Sequence, residues 1–269
     1  MSNDFQHLID PKDLGTLTGE ILIIDLCADQ QYAQGHIPGA VHVSPAEIMG
    51  DQPPAPGKLP DKARLDMLFS RIGYTPAKTL VVYDDEGGGW AGRMAWILDV
   101  IGHDDWYYLD GGLRAWTQEG LPLEGEPVHP SPTRCDLSID GSPTIEAEDI
   151  MASLGSADFL VWDARSRAEY DGTRAVSQRG GHIPGAVHCE WTTLMDPARG
   201  LRIRHDVRDV LQTLGITPDK NIATHCQSHH RSGFTYLVAR ILGYPRIRAY
   251  HGSWSEWGNR LDTPVETSH

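Results

Sequence analysis

Apolar and polar positions alternate along this chain with two different periods. Short apolar runs at residues 21–25, 79–83, 106–109, 159–163, 221–225 and 247–250 are rich in β-branched and aromatic side chains and are bounded by polar or turn-forming residues. Runs of that length and composition predict buried strands. Between them, residues 62–72, 92–101, 207–214 and 233–242 repeat apolar positions at three- and four-residue intervals, which predicts helices. Strand and helix in alternation predict an α/β fold: a parallel sheet with helices on both faces. Ligands of such sheets bind outside the carboxyl ends of the strands.

The pattern occurs twice. Gly35-His36-Ile37-Pro38-Gly39-Ala40-Val41-His42 returns as Gly181-His182-Ile183-Pro184-Gly185-Ala186-Val187-His188, each downstream of an apolar run that ends in aspartate, Asp25 or Asp163. The second copy carries an insertion around residues 171–178. Farther on, residues 81–116 align without gaps on 222–257, with Gly92 on Gly233, Gly102 on Gly243, Gly111 on Gly252 and Trp116 on Trp257. Repeats in register over such a length predict two tandem copies of one fold. The proline-rich Glu126-Pro127-Val128-His129-Pro130-Ser131-Pro132 and the turn-forming Asp140-Gly141-Ser142-Pro143 mark a connection. The expected division is residues 1–125, a linker over 126–142, and residues 143–269.

Charge separates the copies. Residues 1–142 hold 9 Lys+Arg and 22 Asp+Glu, whereas the rest hold 14 and 15. The second copy is thus far less repulsive to an anion, and all but one of its cations are arginine, whose planar fork suits oxyanions. The overall charge of −14 argues against nucleic acid as a partner. No apolar run reaches the roughly 20 residues that span a bilayer, and the start lacks a basic stretch followed by an apolar one. No membrane partner and a cytoplasmic location are expected. Four cysteines, Cys27, Cys135, Cys189 and Cys226, are scattered without metal-ligand spacing, so no metal, no cofactor and no disulfide framework is expected.

One cysteine stands in a reactive context. Cys226-Gln227-Ser228-His229-His230-Arg231-Ser232 follows a predicted strand and precedes a predicted helix. A helix start offers unpaired N–H groups and partial positive charge, which favour the thiolate, the nucleophilic form of cysteine. The repeat places Asp85 opposite Cys226, Gly87-Gly88-Gly89 opposite Ser228-His229-His230, and Trp90 opposite Arg231. The first copy therefore keeps the fold but has neither thiol nor adjacent cation. His36 and His182, Asp25 and Asp163, and Trp116 and Trp257 occur in both copies, so they are assigned to fold maintenance. Trp191 has two readings, a core residue or a neighbour of the reactive loop.

The doubled GHIPGA element, the CQSHHRSG loop and the closing Gly252-Ser253-Trp254-Ser255-Glu256-Trp257 resemble tandem-domain rhodaneses, the thiosulfate sulfurtransferases, of the bacterial type with a CQ[ST]HHRS loop. The resemblance covers nearly the whole chain and implies a silent first domain. It implies that Cys226 takes the outer sulfur of thiosulfate as a persulfide and passes it to cyanide or a thiol, with a protein sulfur acceptor as a further partner. It implies that Arg231 holds the sulfonate end of the donor and that Gln227, Ser228, His229, His230 and Ser232 line the site, their amides wrapping the sulfur. His229 and His230 carry two readings: added positive charge below about pH 6.5, or loop-surface side chains that position the backbone. The loop matches neither the mitochondrial type nor the CGSGVT-like loop of mercaptopyruvate sulfurtransferases, so thiosulfate is the first expected donor and mercaptopyruvate the second. Related phosphatases have five residues between Cys and Arg; four stand here, a smaller cradle that suits a sulfur atom better than a phosphate.

Overall fold

In the computed structural model, which describes residues 5–268, the apolar runs form two parallel sheets. The first half runs β1 (Leu8–Ile9), β2 (Ile21–Asp25), α1 (Asp29–Gln34), β3 (Val41–His42), α2 (Lys62–Arg71), β4 (Thr79–Tyr83), α3 (Gly89–Val100), β5 (Trp106–Leu109) and α4 (Gly112–Gln118). The second runs α5 (Ala147–Ser153), β6 (Phe159–Asp163), α6 (Arg167–Asp171), β7 (Val187–His188), β8 (Met195–Asp196), β9 (Arg202–Ile203), α7 (Val207–Thr213), β10 (Asn221–His225), α8 (Arg231–Ile241), β11 (Ile247–Ala249) and α9 (Ser253–Trp257). The sheets are ordered β1-β5-β4-β2-β3 and β11-β10-β6-β7. Every neighbouring pair in them is parallel, while β8 and β9 form a separate antiparallel pair.

The central strands show why the apolar runs are continuous. Residues 80–83 of β4 and 222–225 of β10 are buried throughout, because helices cover both faces of each sheet. Helix α3 is buried along its whole length except at Trp90. A helix apolar on every side belongs in an interior, and α3 finds one by packing on α8. The two cross where both carry glycine: a Cβ on Gly92 would stand 2.3 Å from the Gly233 carbonyl oxygen, and one on Gly233 would stand 2.6 Å from the Arg93 nitrogen.

One apolar cluster runs through this crossing and draws on both halves, with Trp96, Trp106, Phe234 and Leu237 among its members. Two outer clusters, around Tyr83 and Trp116 and around Tyr250 and Trp257, each belong to one half. The copies thus share their main core. The proline-rich segment from 126 to 140 has no regular structure but lies against the first half. Val128 N–H donates to the Tyr32 hydroxyl oxygen (3.1 Å), Thr133 N–H to the Ser70 carbonyl (2.9 Å) and Leu137 N–H to Asp66 Oδ1 (2.9 Å).

Differences from the expected elements are local. Helices α3 and α8 begin at Gly89 and Arg231, two or three residues before the apolar period becomes visible, and the last strand ends at Ala249. The short strands β1, β3, β7, β8 and β9 and the short helices α1, α4, α5, α6 and α9 were not expected; at two to seven residues each they are too short to show a period.

Candidate active site

The Cys226 loop joins β10 to α8 at the carboxyl end of the second sheet. His229 has a positive φ of 55° and His230 follows in the right-handed helical region, the backbone succession of an anion-binding nest, with the His229 N–H itself taken by Ser253 Oγ. The loop is pinned from α9. Ser253 Oγ accepts hydrogen bonds from Cys226 N–H (3.3 Å) and His229 N–H (3.2 Å), while the Trp254 and Ser255 amides donate to the Cys226 and Gln227 carbonyls. Ser253 itself adopts a φ of 52°, where the first copy has Gly112 at 54°. A non-glycine residue in that region carries backbone strain, and here it places a hydroxyl that glycine lacks.

Cys226 is 1% exposed, yet it belongs to none of the three apolar clusters. Ser232 Oγ donates to its sulfur at 3.4 Å, and His229 Nδ1 lies 2.8 Å from that same oxygen. Ser232 has one proton to give, so His229 must donate through Nδ1. Burial raises the Cys226 pKa, but Arg231, the hydroxyl and backbone N–H of Ser232, and His230 together outweigh it and bring the thiol below its ordinary value. The sulfur is sealed from bulk water inside a polar cradle.

Arg231 is held rather than free. Its Nη1 and Nη2 donate to Glu169 Oε2 (2.7 Å) and Oε1 (2.9 Å), a bidentate pair. Glu169 is also the third residue of a capping box with Ser166 at the start of α6. Burial pushes the Glu169 carboxyl up, but Arg231 and Ser166 draw it down to about 2. Burial pulls the Arg231 guanidinium down, but Glu169 and the Cys226 thiolate outweigh it and hold its pKa above the ordinary value. Each terminal nitrogen uses one N–H on Glu169 and retains another.

Behind the sulfur lies a buried ion cluster. Asp163 pairs with Arg165 (2.6 Å) and stands 3.4 Å from His225 Nε2. Burial raises Asp163, but His225 and Arg165 bring it to about 2; burial brings His225 itself to about 4, so it stays neutral. Asp163, assigned to the fold from its repetition, therefore also borders the site. Its counterpart Asp25 instead accepts from the Tyr83 hydroxyl and Cys27 N–H. His36 and His182 behave alike in both copies, stacked on Tyr32 and Tyr170 and bonded to the carbonyls of those residues.

Of the two loop histidines, His229 differs from both expectations. His229 is fully buried, and burial, with the charges of Arg93, His251 and His230, holds its pKa well below the ordinary value, so it supplies no charge. Neither is it a surface side chain, since its imidazole supports Ser232. His230 is half-buried between Trp90 (4.3 Å between centroids) and Trp191 (5.5 Å), and it pairs with Glu86 of the first half at 2.5 Å. Trp191 is accordingly a neighbour of the loop. Gln227 Nε2 donates to Ser177 Oγ (3.2 Å) in the segment that the first copy lacks. The Ser228 carbonyl oxygen lies against Gly57, where a Cβ would approach to 2.3 Å.

The first copy shows what such a loop binds. Asp84 Oδ1 accepts from the amides of Glu86 (3.1 Å), Gly87 (3.1 Å) and Gly88 (2.8 Å), and Oδ2 from those of Trp90 and Ala91 (3.0 Å each). Five amides thus converge on one internal carboxylate. In the second copy the matching position is His225, and the anion nearest the amides is the cysteine sulfur.

Glu169, Ser253, Glu86, Trp90 and Arg165 were not foreseen as site residues. Only Glu169 left a local trace, the Ser166-x-x-Glu169 capping pattern.

Comparison with known proteins gives two matches to the rhodanese-like domain family, at residues 8–119 and 146–260. A thiosulfate sulfurtransferase of Pseudomonas aeruginosa is 53% identical over 266 residues, covering 98% of this chain and 98% of the relative. One from Azotobacter vinelandii is 52% identical, covering 98% and 99%. A sulfur carrier protein of Thermus thermophilus is 30% identical, covering 97% and 93%. Among solved structures, an anaerobic ergothioneine biosynthesis enzyme from Chlorobium limicola superposes with a TM-score of 0.85 at 22% identity, covering 98% of this chain and 70% of that one.

Proposed function

The chain belongs to the rhodanese family, and we propose that it is a thiosulfate sulfurtransferase in which Cys226 alone carries the sulfur. On this reading residues 1–125 form a silent copy, 126–142 a connection and 143–269 the reacting copy. The Cys226 thiolate attacks the outer sulfur of thiosulfate. A sulfur–sulfur bond forms at Cys226 as the one within thiosulfate breaks, and sulfite leaves with the electron pair. Cyanide or a thiol then attacks the outer sulfur of the Cys226 persulfide, and the thiolate returns.

The observation that carries this reading is the polar burial of Cys226, with its pKa brought down by Arg231 and Ser232. A thiolate kept dry and hydrogen-bonded needs no general base at the moment of attack. The second N–H on each Arg231 terminal nitrogen supplies donors for the sulfonate, and Glu169 fixes the plane of the fork. On this reading Gln227, Ser228, His230 and Ser232 shape the cradle through their amides, while His229, whose N–H is taken by Ser253 Oγ, acts through its imidazole on Ser232; of these side chains, Ser232 touches the sulfur.

The test is mass spectrometry of the protein after thiosulfate. The Cys226 peptide should gain about 32 Da, one sulfur, and a Cys226→Ala variant should gain nothing. An unmodified Cys226 in the unaltered protein defeats the reading. Thiosulfate is proposed as the donor over mercaptopyruvate, to be compared with cyanide as acceptor. A second reading, delivery of sulfur to a protein, draws on the sulfur carrier relative. A persulfide that forms readily but passes slowly to cyanide would favour it. Four cysteines without disulfides suit a reducing compartment such as the cytoplasm, and no helix among the described residues is long and apolar enough to cross a membrane.

A further inference from the structure

The cation beside the sulfur, Arg231, is shared with a carboxylate. A second guanidinium reaches the same loop from the other half of the chain. Arg93 lies on α3 and is fully buried. All its hydrogen bonds go to main-chain carbonyls: Nε to Ile48 (2.8 Å), Nη1 to Gly57 (2.8 Å) and His229 (3.3 Å), and Nη2 to Lys58 (3.1 Å). Its face packs against Trp96. It forms no ion pair among the described residues. A buried charge without an opposite partner is strongly disfavoured, so its persistence calls for an anion nearby.

We infer that Arg93 is a positioning residue for sulfur transfer: the half of the chain without a nucleophile supplies a buried counter-charge to the Cys226 sulfur and holds its loop through the His229 carbonyl. The inference rests on the persulfide reading above. Burial brings Arg93 down to about 9, and the Cys226 thiolate pulls it back up, so the two groups sense each other. By linkage Arg93 favours the thiolate in turn. Arg231 and His230 act on the sulfur more strongly, so the effect of Arg93 is the smaller one. The other charged or titratable groups around the sulfur are Glu169 behind Arg231, Glu86 on His230, the neutral His229, His251 with Glu146, and the Asp163, Arg165 and His225 cluster. None of the cations among them touches the His229 carbonyl.

The test uses the full chain and follows alkylation of the Cys226 peptide by iodoacetamide against pH, read by mass spectrometry. Arg93→Met should raise the midpoint by roughly half to one pH unit and slow persulfide formation at neutral pH. Arg93→Lys, which restores the charge, should bring the midpoint back toward that of the unaltered protein. If Arg93→Met fails to fold, Arg93→Gln keeps a donor for the His229 carbonyl, loses the charge and gives the same readout. A folded charge-removing variant with lowered thermal stability but an unmoved midpoint overturns the inference and leaves Arg93 as a structural staple. Failure of the unaltered protein to take up sulfur would strike the persulfide reading instead.

Discussion

At the residue scale, the proposed chemistry rests on one proton arrangement: His229 donates to Ser232, and Ser232 donates to the Cys226 sulfur. A hydrogen bond to a charged group contributes about 1.5–3 kcal/mol, so Ser232→Ala should cut kcat/KM for thiosulfate about tenfold or more and raise the pH at which Cys226 is alkylated. Loss of activity with an unmoved alkylation profile would count against the relay. Glu169→Gln should mainly raise KM, because Arg231 loses the partner that fixes its fork, and steady-state kinetics over thiosulfate concentration will separate the two effects. The cluster behind the sulfur also sets acid stability. His225 titrates near 4 when folded against an ordinary 6.5, so the unfolded chain binds the proton more readily between those values. Asp163 at about 2 against 3.8, and Glu169 at about 2 against 4.5, have the same sign. Stability from these groups is therefore complete above about pH 6.5 and declines toward pH 2, first through His225 and then through the carboxylates. His225→Gln should flatten the upper part of that decline in melting temperature.

At the element scale, what could be read from the sequence was whatever repeats locally. The strand ends at Asp25, Asp163 and His225 and the glycines of α3 and α8 were visible because their spacing is fixed by strand and helix geometry. The starts of α3 and α8 were not, since Gly89 and the polar Arg231 and Ser232 break the apolar period in the first turn. Glu169, Ser253, Glu86 and Arg93 were hidden for a different reason. They reach the loop from α6, α9 and the first half, and no local pattern records a contact made so far along the chain. The glycines opposite the histidines looked like lost function, but they also make room: a Cβ on Gly89 would stand 2.3 Å from His230 Nε2. Two substitutions should then part company. Gly92→Ala meets rigid backbone at the helix crossing and should lower stability by about 1–3 kcal/mol, measured by denaturant unfolding. Gly89→Ala meets a side chain that can turn away, so it should disturb His230 and turnover more than melting temperature.

At the scale of the whole molecule, the two copies are one folding unit in energetic terms, because the cluster around Trp96 and Phe234 crosses between them. Residues 143–269 expressed alone would bare the α8 face and lose Glu86, Trp90 and Arg93. That fragment should be poorly folded and nearly inactive, as circular dichroism and a thiosulfate assay will show. The repeat made the division into copies legible but concealed this dependence, since self-comparison reports likeness and says nothing of docking. Asp85→Cys should likewise gain no sulfur from thiosulfate. Trp90 and the glycines supply no cation there, and Asp84 already holds the amides that a persulfide would require.

That tethered carboxylate has a consequence for stoichiometry. In the first copy the loop amides already close on Asp84, so sulfate, sulfite and thiosulfate in solution should find a site only beside Arg231 and the Cys226 loop of the second. Calorimetric isotherms for small oxyanions should saturate at a single equivalent per chain, although the architecture is doubled.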